Sequence, residues 1–284
     1  PKLAFDSIGD WSQVKLDIVR DYAQAYSQIL AKQPRLRHVY IDAFAGAGIH
    51  QLKATGELVP GSPLNALAVD PPFRELHLID LDGAKVTNLH QLVGGRKDVF
   101  IYKGDSNRIL LEKVFPRVRY EDYRRGLCLL DPYGLTLDWE VVSVAAGMKS
   151  IEIFLNFPIM DMNRNALWSD PSGVAPEDLA RMNAFWGDES WRDDLYARQG
   201  NLFGQPDLVK SGGNREIVAS FRKRLREVAG FQEVPEPIPM RNSRNAPLYY
   251  LFFASQNPTG ARIARHLLQK YASSSEFVGE FGFG

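Results

Sequence analysis

Two stretches of the sequence place reactive side chains directly after apolar runs. In residues 40–48, Asp42 is followed by a turn that contains Gly46 and Gly48. Glycine tolerates positive φ and has no Cβ, so such a turn lets a ligand approach the backbone closely. In residues 131–134, a carboxylate, a proline and an aromatic ring follow the apolar residues 127–130. We predict a ligand site at the first stretch and a reaction site at the second.

The candidate catalytic residues are Asp131, Pro132 and Tyr133. The exocyclic amine of a base is a poor nucleophile because its lone pair is delocalised into the ring. Asp131 and a carbonyl at the strand end can accept the amine N–H groups, and Tyr133 can stack on the base and align its nitrogen. The alternative is a β-turn rich in Asp, Pro and Gly.

Two further strand ends carry polar groups. In residues 78–82, Asp80 and Asp82 flank Leu81, and an acid at this position can accept hydrogen bonds from both hydroxyls of a ribose. Asp105 and Ser106 end the next strand, where a carboxylate can accept from an adenine amino group. Asp and Ser also favour helix N-caps, so capping is the alternative for both pairs.

Alternating elements predict a parallel sheet covered by helices on both faces. A helix is predicted over residues 11–32, with Ile18, Tyr22, Ala25 and Ile29 on its buried face. The predicted parallel strands are residues 38–44, 75–80, 99–103, 126–130 and 151–157. The predicted intervening helices begin at residue 62 and span residues 84–92, 108–114 and 139–146. Residues 49–61 are predicted to be a loop, with no role assigned.

After Pro158 the pattern changes. Residues 159–211 are predicted to be a helical insertion, with Trp168, Trp186 and Trp191 as its core. A helix over residues 215–229, a hairpin of residues 231–240 and 248–255, and a helix over residues 260–271 complete the chain. We therefore expect residues 1–284 to form one domain.

This order of elements is that of the class I methyltransferase fold: a Rossmann-like, seven-stranded, mostly parallel sheet with a C-terminal antiparallel hairpin. An NAD-binding fold would require a third glycine, where Gln51 stands here. We thus expect S-adenosyl-L-methionine (SAM) as the cofactor. The predicted SAM-binding residues are Asp42, Phe44, Ala45, Gly46, Gly48, Asp80, Leu81, Asp105 and Ser106.

The amino-acid composition limits the class of protein and the kinds of site that the chain can form. Hydrophobic residues make up 45% and charged residues 24% of the 284 residues, as in globular proteins. Lys and Arg together number 34, as do Asp and Glu, which argues against an electrostatic grip on nucleic acid by the whole protein. The single cysteine, Cys128, excludes an internal disulfide and a cysteine-based metal site, and we expect it in the core. We predict a cytoplasmic protein with no metal and no membrane partner.

With these motifs, the chain resembles the three-Cys-motif partner protein family, whose members are encoded beside a radical-SAM-type protein bearing three cysteines. The resemblance rests on Trp11, Lys15-Leu16, residues 40–48, 61–63, 131–134, 239–242 and 249–255. It implies the methyltransferase-like fold, SAM as cofactor and the radical-SAM protein as a partner. Residues 131–134 are also similar to the Asp-Pro-Phe-Gly of tRNA N2,N2-dimethylguanosine methyltransferases. They lack the second proline of the Asp-Pro-Pro-Tyr motif, which counts against adenine-N6 methylation.

The candidate substrate-binding residues are Asn156, Arg164, Arg222 and Arg241. Asn156 and Arg164 follow the fifth strand, together with Asp161. Residues 210–245 contain eight Lys or Arg against four Glu. They predict either a phosphate-binding strip or a solvated helix face.

Three functions remain open. The first is N-methylation of an exocyclic amine on a base in nucleic acid (tRNA or DNA) or a nucleotide. The second is a SAM-binding partner or regulatory subunit of the radical-SAM protein. The third is methylation of a small molecule, which the zero net charge suits.

Overall fold

The computed structural model describes residues 6–200, 206–242 and 244–273. Its strands are β1 (Asp6–Ile8), β2 (Arg37–Asp42), β3 (Ile49–Leu52), β4 (Leu58–Pro60), β5 (Glu75–Asp80), β6 (Val99–Lys103), β7 (Arg124–Leu130), β8 (Ile151–Phe157), β9 (Tyr196–Gly200), β10 (Pro206–Lys210), β11 (Ile238–Arg241) and β12 (Pro247–Ala254). Its α-helices are α1 (Asp10–Leu30), α2 (Ser62–Leu67), α3 (Gly83–Val93), α4 (Ser106–Ile109), α5 (Trp139–Met148), α6 (Ile159–Asn165), α7 (Pro176–Trp186), α8 (Trp191–Leu195), α9 (Asn214–Glu227) and α10 (Pro258–Ser273). A π-helical turn, Leu110–Val114, continues α4.

The main sheet has seven strands in the order β11-β12-β8-β7-β2-β5-β6. Strands β6, β5, β2, β7 and β8 are parallel, β12 runs antiparallel to β8, and β11 runs antiparallel to β12. The predicted sheet is therefore confirmed, and β5, β6 and β8 have the predicted bounds. Because the five parallel strands end at one edge, their terminal polar residues are brought together there.

Both faces of the sheet are buried, as its nearly continuous apolar strands require. Ile41, Cys128 and Ile153 belong to the hydrophobic core on one face. Tyr40, Leu127 and Phe154 belong to the core on the other face, which α1 and α10 cover. The prediction that Cys128 is a core residue is confirmed.

Helix α1 is confirmed, but its buried face is rotated from the predicted one. Tyr22 and Tyr26 are buried on this face, whereas Ile29 is 40% exposed. The buried positions on this face of α1 are therefore residues 15, 18, 19, 22 and 26. One of them is a lysine, Lys15, which is 6% exposed.

Residues 49–61 form β-structure and not the predicted loop. Strands β3 and β4 pair antiparallel, and β1 pairs in parallel with β3. These strands are short and half exposed, so their residues do not show the alternation of apolar and polar side chains that marks a strand in the sequence. One of the three, β1, also comes from a distant part of the chain.

Two other predictions are corrected. The insertion is not wholly helical, because β9 and β10 pair antiparallel within it; its residues 201–205 lie outside the described part. The strand predicted over residues 231–240 is shortened to β11, and Glu233 makes only an isolated bridge to Ser255. Pro235 and Pro237 lack the N–H groups that a longer ladder would need.

Candidate functional site

The turn after β2 is held against the neighbouring strand. Gly46 and Gly48 have φ values of 64° and 84°, in the left-handed region that favours glycine. The Ala45 N–H donates to the Ile79 carbonyl at 2.9 Å, and the Gly46 N–H donates to Asp80 Oδ2 at 2.8 Å. A Cβ at Gly48 would lie 2.8 Å from a methyl group of Leu92 in α3. The turn is thus fixed in position over the ends of β2 and β5.

Asp80 and Asp82 have different roles. Asp80 is 5% exposed, and its Oδ1 accepts the Asp82 N–H at 2.9 Å while Oδ2 binds Gly46. A carboxylate offers about four lone-pair sites, so each oxygen of Asp80 retains acceptor capacity for a ligand hydroxyl. Asp82 caps α3, accepting the Ala84 N–H at 2.7 Å, which is the capping alternative. Leu81 between them is 72% exposed.

Asp105 and Ser106 both take part in the local fold. Asp105 caps α4 by accepting the Arg108 N–H at 2.9 Å. The Ser106 hydroxyl donates to the Ala43 carbonyl and so ties α4 to the end of β2. They lie at the expected strand end, and their contact with adenine stays a prediction.

Asp42 is fully buried at the end of β2. Its Oδ1 accepts the Phe44 N–H at 3.3 Å, whereas Oδ2 has no hydrogen-bond partner among the described residues. Burial raises the pKa of Asp42 to about 7, against the opposing effects of Ser62 and the Phe44 amide. A buried acceptor without a donor is rare in proteins, and this one suits a cationic or N–H-bearing ligand group.

Asp131 follows β7 and is held from two sides. Lys15 in α1 forms an ion pair with its Oδ2, and Asn156 at the end of β8 donates to its Oδ1 at 2.6 Å. The structure therefore brings Asn156 together with Asp131, and its contact with a substrate stays a prediction. The Asn156 Oδ1 atom is itself buried with no hydrogen-bond partner in the described part of the chain.

Sequence reasoning missed two members of this group. Lys15 lies on the buried face of α1, and its Nζ lies 5.6 Å from the centre of the Tyr249 ring. Tyr249 is buried at the start of β12, and its hydroxyl donates to the Trp11 carbonyl at 3.3 Å. The sequence signal that could have indicated Lys15 is its position among the apolar residues that repeat at helical spacing in α1.

The turn after Asp131 is supported from below by Asp161. Gly134 has a φ of 67°, and a Cβ there would overlap the Asp161 carboxylate. Asp161 Oδ2 accepts the Leu135 N–H at 3.1 Å and lies 3.2 Å from Arg181. Asp161 thus stabilises the turn that presents Tyr133.

The Tyr133 side chain is 61% exposed beside the glycine turn. Its ring centre lies 6.5 Å from that of Phe44, and the two rings are nearly perpendicular, at 83°. The Lys85 ammonium donates to the Tyr133 hydroxyl at 3.0 Å. An accessible aromatic face next to a carboxylate is suited to binding a planar, amine-bearing group.

The other predicted substrate-binding residues are dispersed. Arg164 is exposed on α6, and Arg241 donates to the Asn245 carbonyl within the β11–β12 turn at 2.9 Å. Arg222 binds Glu236 and the Val234 carbonyl, lining a cavity of about 710 Å³ beside α9. Because the neighbouring residue 233 bridges to the end of β12, this cavity lies toward the opposite edge of the sheet. The structure does not bring Arg222 together with Asp131.

Arg224 does not belong to the predicted basic strip, because its side chain is buried. This residue is 8% exposed, donates to the Trp186 carbonyl at 2.6 Å and pairs with Asp188 at 2.7 Å. Trp186 and Trp191 are buried as predicted, whereas Trp168 is 43% exposed and is not a core residue.

The described ranges, residues 6–200, 206–242 and 244–273, contain neither a candidate metal cluster nor a membrane-spanning helix. No cluster of three or more His, Cys, Asp or Glu side chains there is arranged to hold a metal ion. Among the helices of that part, none has the length and apolarity needed to cross a bilayer.

Comparisons with known proteins give structural matches alone. No protein-family model matches the sequence, and neither does any curated protein. A Legionella pneumophila protein of family DUF519 matches with a TM-score of 0.49 and 13% identity over 90% of this chain and 92% of that one. Trm5b from Pyrococcus abyssi matches with a TM-score of 0.32 and 15% identity over 81% of this chain and 47% of that one. The neocarzinostatin-biosynthesis O-methyltransferase NcsB1, solved with SAM, matches with a TM-score of 0.36 and 11% identity over 87% of this chain and 61% of that one.

The sheet order defines the fold class. The chain has a Rossmann-like, methyltransferase-like fold, with polar side chains at the carboxyl ends of β2, β5, β7 and β8 of its mostly parallel seven-stranded sheet.

Proposed function

We propose that this protein is a SAM-dependent N-methyltransferase acting on the exocyclic amine of a base in nucleic acid or a nucleotide. One observation carries the proposal. At the end of β7, a carboxylate fixed by two neighbours adjoins an exposed aromatic ring that stands beside the glycine turn. This arrangement supports Asp131 as the acceptor and Tyr133 as the stacking surface, next to the turn that would hold a cofactor.

The residues at this edge fit SAM. The Asp42 Oδ2 atom is a buried acceptor with no donor among the described residues, and it suits the α-ammonium of the methionine part. Asp80 lies at the end of the adjacent strand with acceptor capacity for ribose hydroxyls. The positive φ values of Gly46 and Gly48 allow the backbone to pass close to the ligand.

When bound, SAM supplies an electrophilic methyl group on a sulfonium. With SAM held by Asp42, Asp80 and the glycine turn, this methyl group would be transferred to the amine nitrogen, the carbon–sulfur electron pair would stay on sulfur, and the nitrogen would release its proton to solvent. Asp131 accepts an N–H of the amine and favours the tetrahedral nitrogen. Tyr133 stacks on the ring and aligns the nitrogen for in-line attack, which is the larger contribution.

Two features favour a base over an aliphatic amine. Tyr133 is a 61% exposed residue, and stacking on an aromatic side chain contributes roughly 1–3 kcal/mol for a nucleobase. Lys85, which donates to the Tyr133 hydroxyl, supplies a positive charge suited to phosphate.

The test is calorimetry with SAM and S-adenosylhomocysteine (SAH), then transfer of labelled methyl from SAM to total tRNA, DNA and a metabolite extract. Asp131→Ala and Tyr133→Ala should each lower turnover about a hundredfold or more, because orientation and hydrogen bonding are lost. Both variants should lose far more turnover than affinity for SAM. Tyr120→Ala, which removes another exposed tyrosine, is the matched control and should leave turnover unchanged.

Two results would contradict the proposal. If Asp131→Ala and Tyr133→Ala lose SAM binding but keep full turnover at saturating SAM, the motif belongs to the cofactor site. If SAM binds and none of the three substrate pools is methylated, the function is that of a SAM-binding subunit, and the radical-SAM three-Cys-motif protein is the partner to test. Methylation confined to the metabolite extract would support a small-molecule enzyme.

A further inference from the structure

Helix α1 contributes a buried cation to the edge where the strands end. Lys15 is 6% exposed, and buried lysines are rare unless they are paired. Burial lowers the pKa of Lys15, but the charge and hydrogen bond of Asp131, with smaller contributions from Tyr249 and Asp42, together outweigh this effect and leave the pKa above the ordinary value. Lys15 therefore remains an ammonium at neutral pH and cannot act as a base.

The ion pair fixes the Asp131 carboxylate from one side, as Asn156 does from the other. One oxygen binds Lys15 and the other binds Asn156, so the plane of the carboxylate is set. Each oxygen retains a lone pair for a further donor. The Asp131 side chain is 27% exposed and therefore accessible to a ligand.

Fold stability alone is a poor reason for this pair. Removing two charges from water costs about as much as their attraction returns, so apolar residues at such positions are often equally stable. The pair would hold α1 to β7, but Ile18, Val19 and Tyr22 already pack α1 into the hydrophobic core on the same face of the sheet. Its position beside the Asp-Pro-Tyr turn favours a role at the site.

We propose that Lys15 is a positioning residue of the methyl-transfer site, where it orients Asp131 toward the substrate amine and balances its charge beside the sulfonium. The inference rests on the proposed function. It assigns Lys15 no contact with the substrate and no proton-transfer step.

The charge balance gives a test that needs no substrate. SAM carries a positive charge at sulfur that SAH lacks, so the ratio of their dissociation constants reports the charge around the methyl group. Lys15→Met leaves Asp131 uncompensated and should shift the ratio toward SAM by roughly three- to tenfold. Asp131→Asn leaves the ammonium uncompensated and should shift the ratio the opposite way. In the double variant the ratio should return close to that of the wild type.

Lys15→Arg keeps the charge and should keep the ratio. Arg20→Met is the matched control, because Arg20 is a half-exposed cation on the same helix paired with Asp17. It removes a charge from α1 without touching Asp131. If Lys15→Met does not fold, Asp131→Asn alone still tests the direction of the shift.

A methyl-transfer assay on the pool that is methylated then separates orientation from binding. Lys15→Met should lower kcat without raising KM for SAM, and should lower kcat no further in the Asp131→Asn background. The inference is overturned if the variants bind both ligands with the wild-type ratio. Failure of the wild type to bind either SAM or SAH would instead refute the proposed function.

Discussion

The Asp42→Asn variant is expected to change how the stability of the protein depends on pH. Asp42 is fully buried, and burial raises its pKa to about 7. In the unfolded chain the carboxyl titrates near 4. Between these two values the folded protein retains a proton that the unfolded chain has lost, so the free energy of unfolding falls as the pH rises.

The size of the effect follows from the shift. A rise from 3.8 to about 7, at about 1.4 kcal/mol per pKa unit, corresponds to about 4 kcal/mol of stability lost between pH 4 and pH 8. Asparagine keeps an oxygen for the Phe44 N–H and carries no charge. The free energy of unfolding of the variant, relative to that of the wild type, should therefore increase by up to this amount as the pH rises.

Urea unfolding at pH 4, 5, 6, 7 and 8 measures the difference, in which other titrating groups cancel. Asp82→Asn removes an exposed carboxylate at the same edge and should change the free energy of unfolding much less. A difference between Asp42→Asn and the wild type that stays constant with pH would refute the assignment of a buried, ionising Asp42. If SAM binds as proposed, its ammonium should stabilise the wild type more at pH 8 than at pH 5, and this trend should vanish in Asp42→Asn.

Three further outcomes are expected. Gly46→Val should abolish SAM binding, because valine disfavours the φ of 64° and fills the approach to the turn; unchanged affinity by calorimetry would mean that the turn has no ligand. Asp80→Ala should weaken SAM binding by roughly 1–3 kcal/mol, because it loses ligand hydrogen bonds and frees the Gly46 N–H; a larger loss in Asp82→Ala would contradict this placement. Arg224→Met should lower the free energy of unfolding by about 1–3 kcal/mol, because it leaves the buried Trp186 carbonyl without its donor. Exposed Arg226→Met should stay within about 0.5 kcal/mol in the same urea assay.

The parallel strands could be predicted because each carries its own signal. Buried strands such as Glu75–Asp80 and Ile151–Phe157 are short apolar runs bounded by turn residues, and they have the predicted bounds. The strand-end carboxylates Asp42, Asp80 and Asp131 lie at one edge because parallel strands end together. Local sequence therefore determined the fold class and the outline of the site.

What the sequence could not determine depends on contacts between distant segments. Lys15 and Asp131 are 116 residues apart, and their pairing is set by the way in which α1 packs on the sheet. The same holds for Arg224, which appeared to be part of a basic surface but is buried against Trp186 and Asp188 of the insertion. Side-chain type and spacing indicate which chemistry is available. Burial and partner choice, which decide whether a charge faces solvent, a ligand or another charge, arise only from tertiary packing.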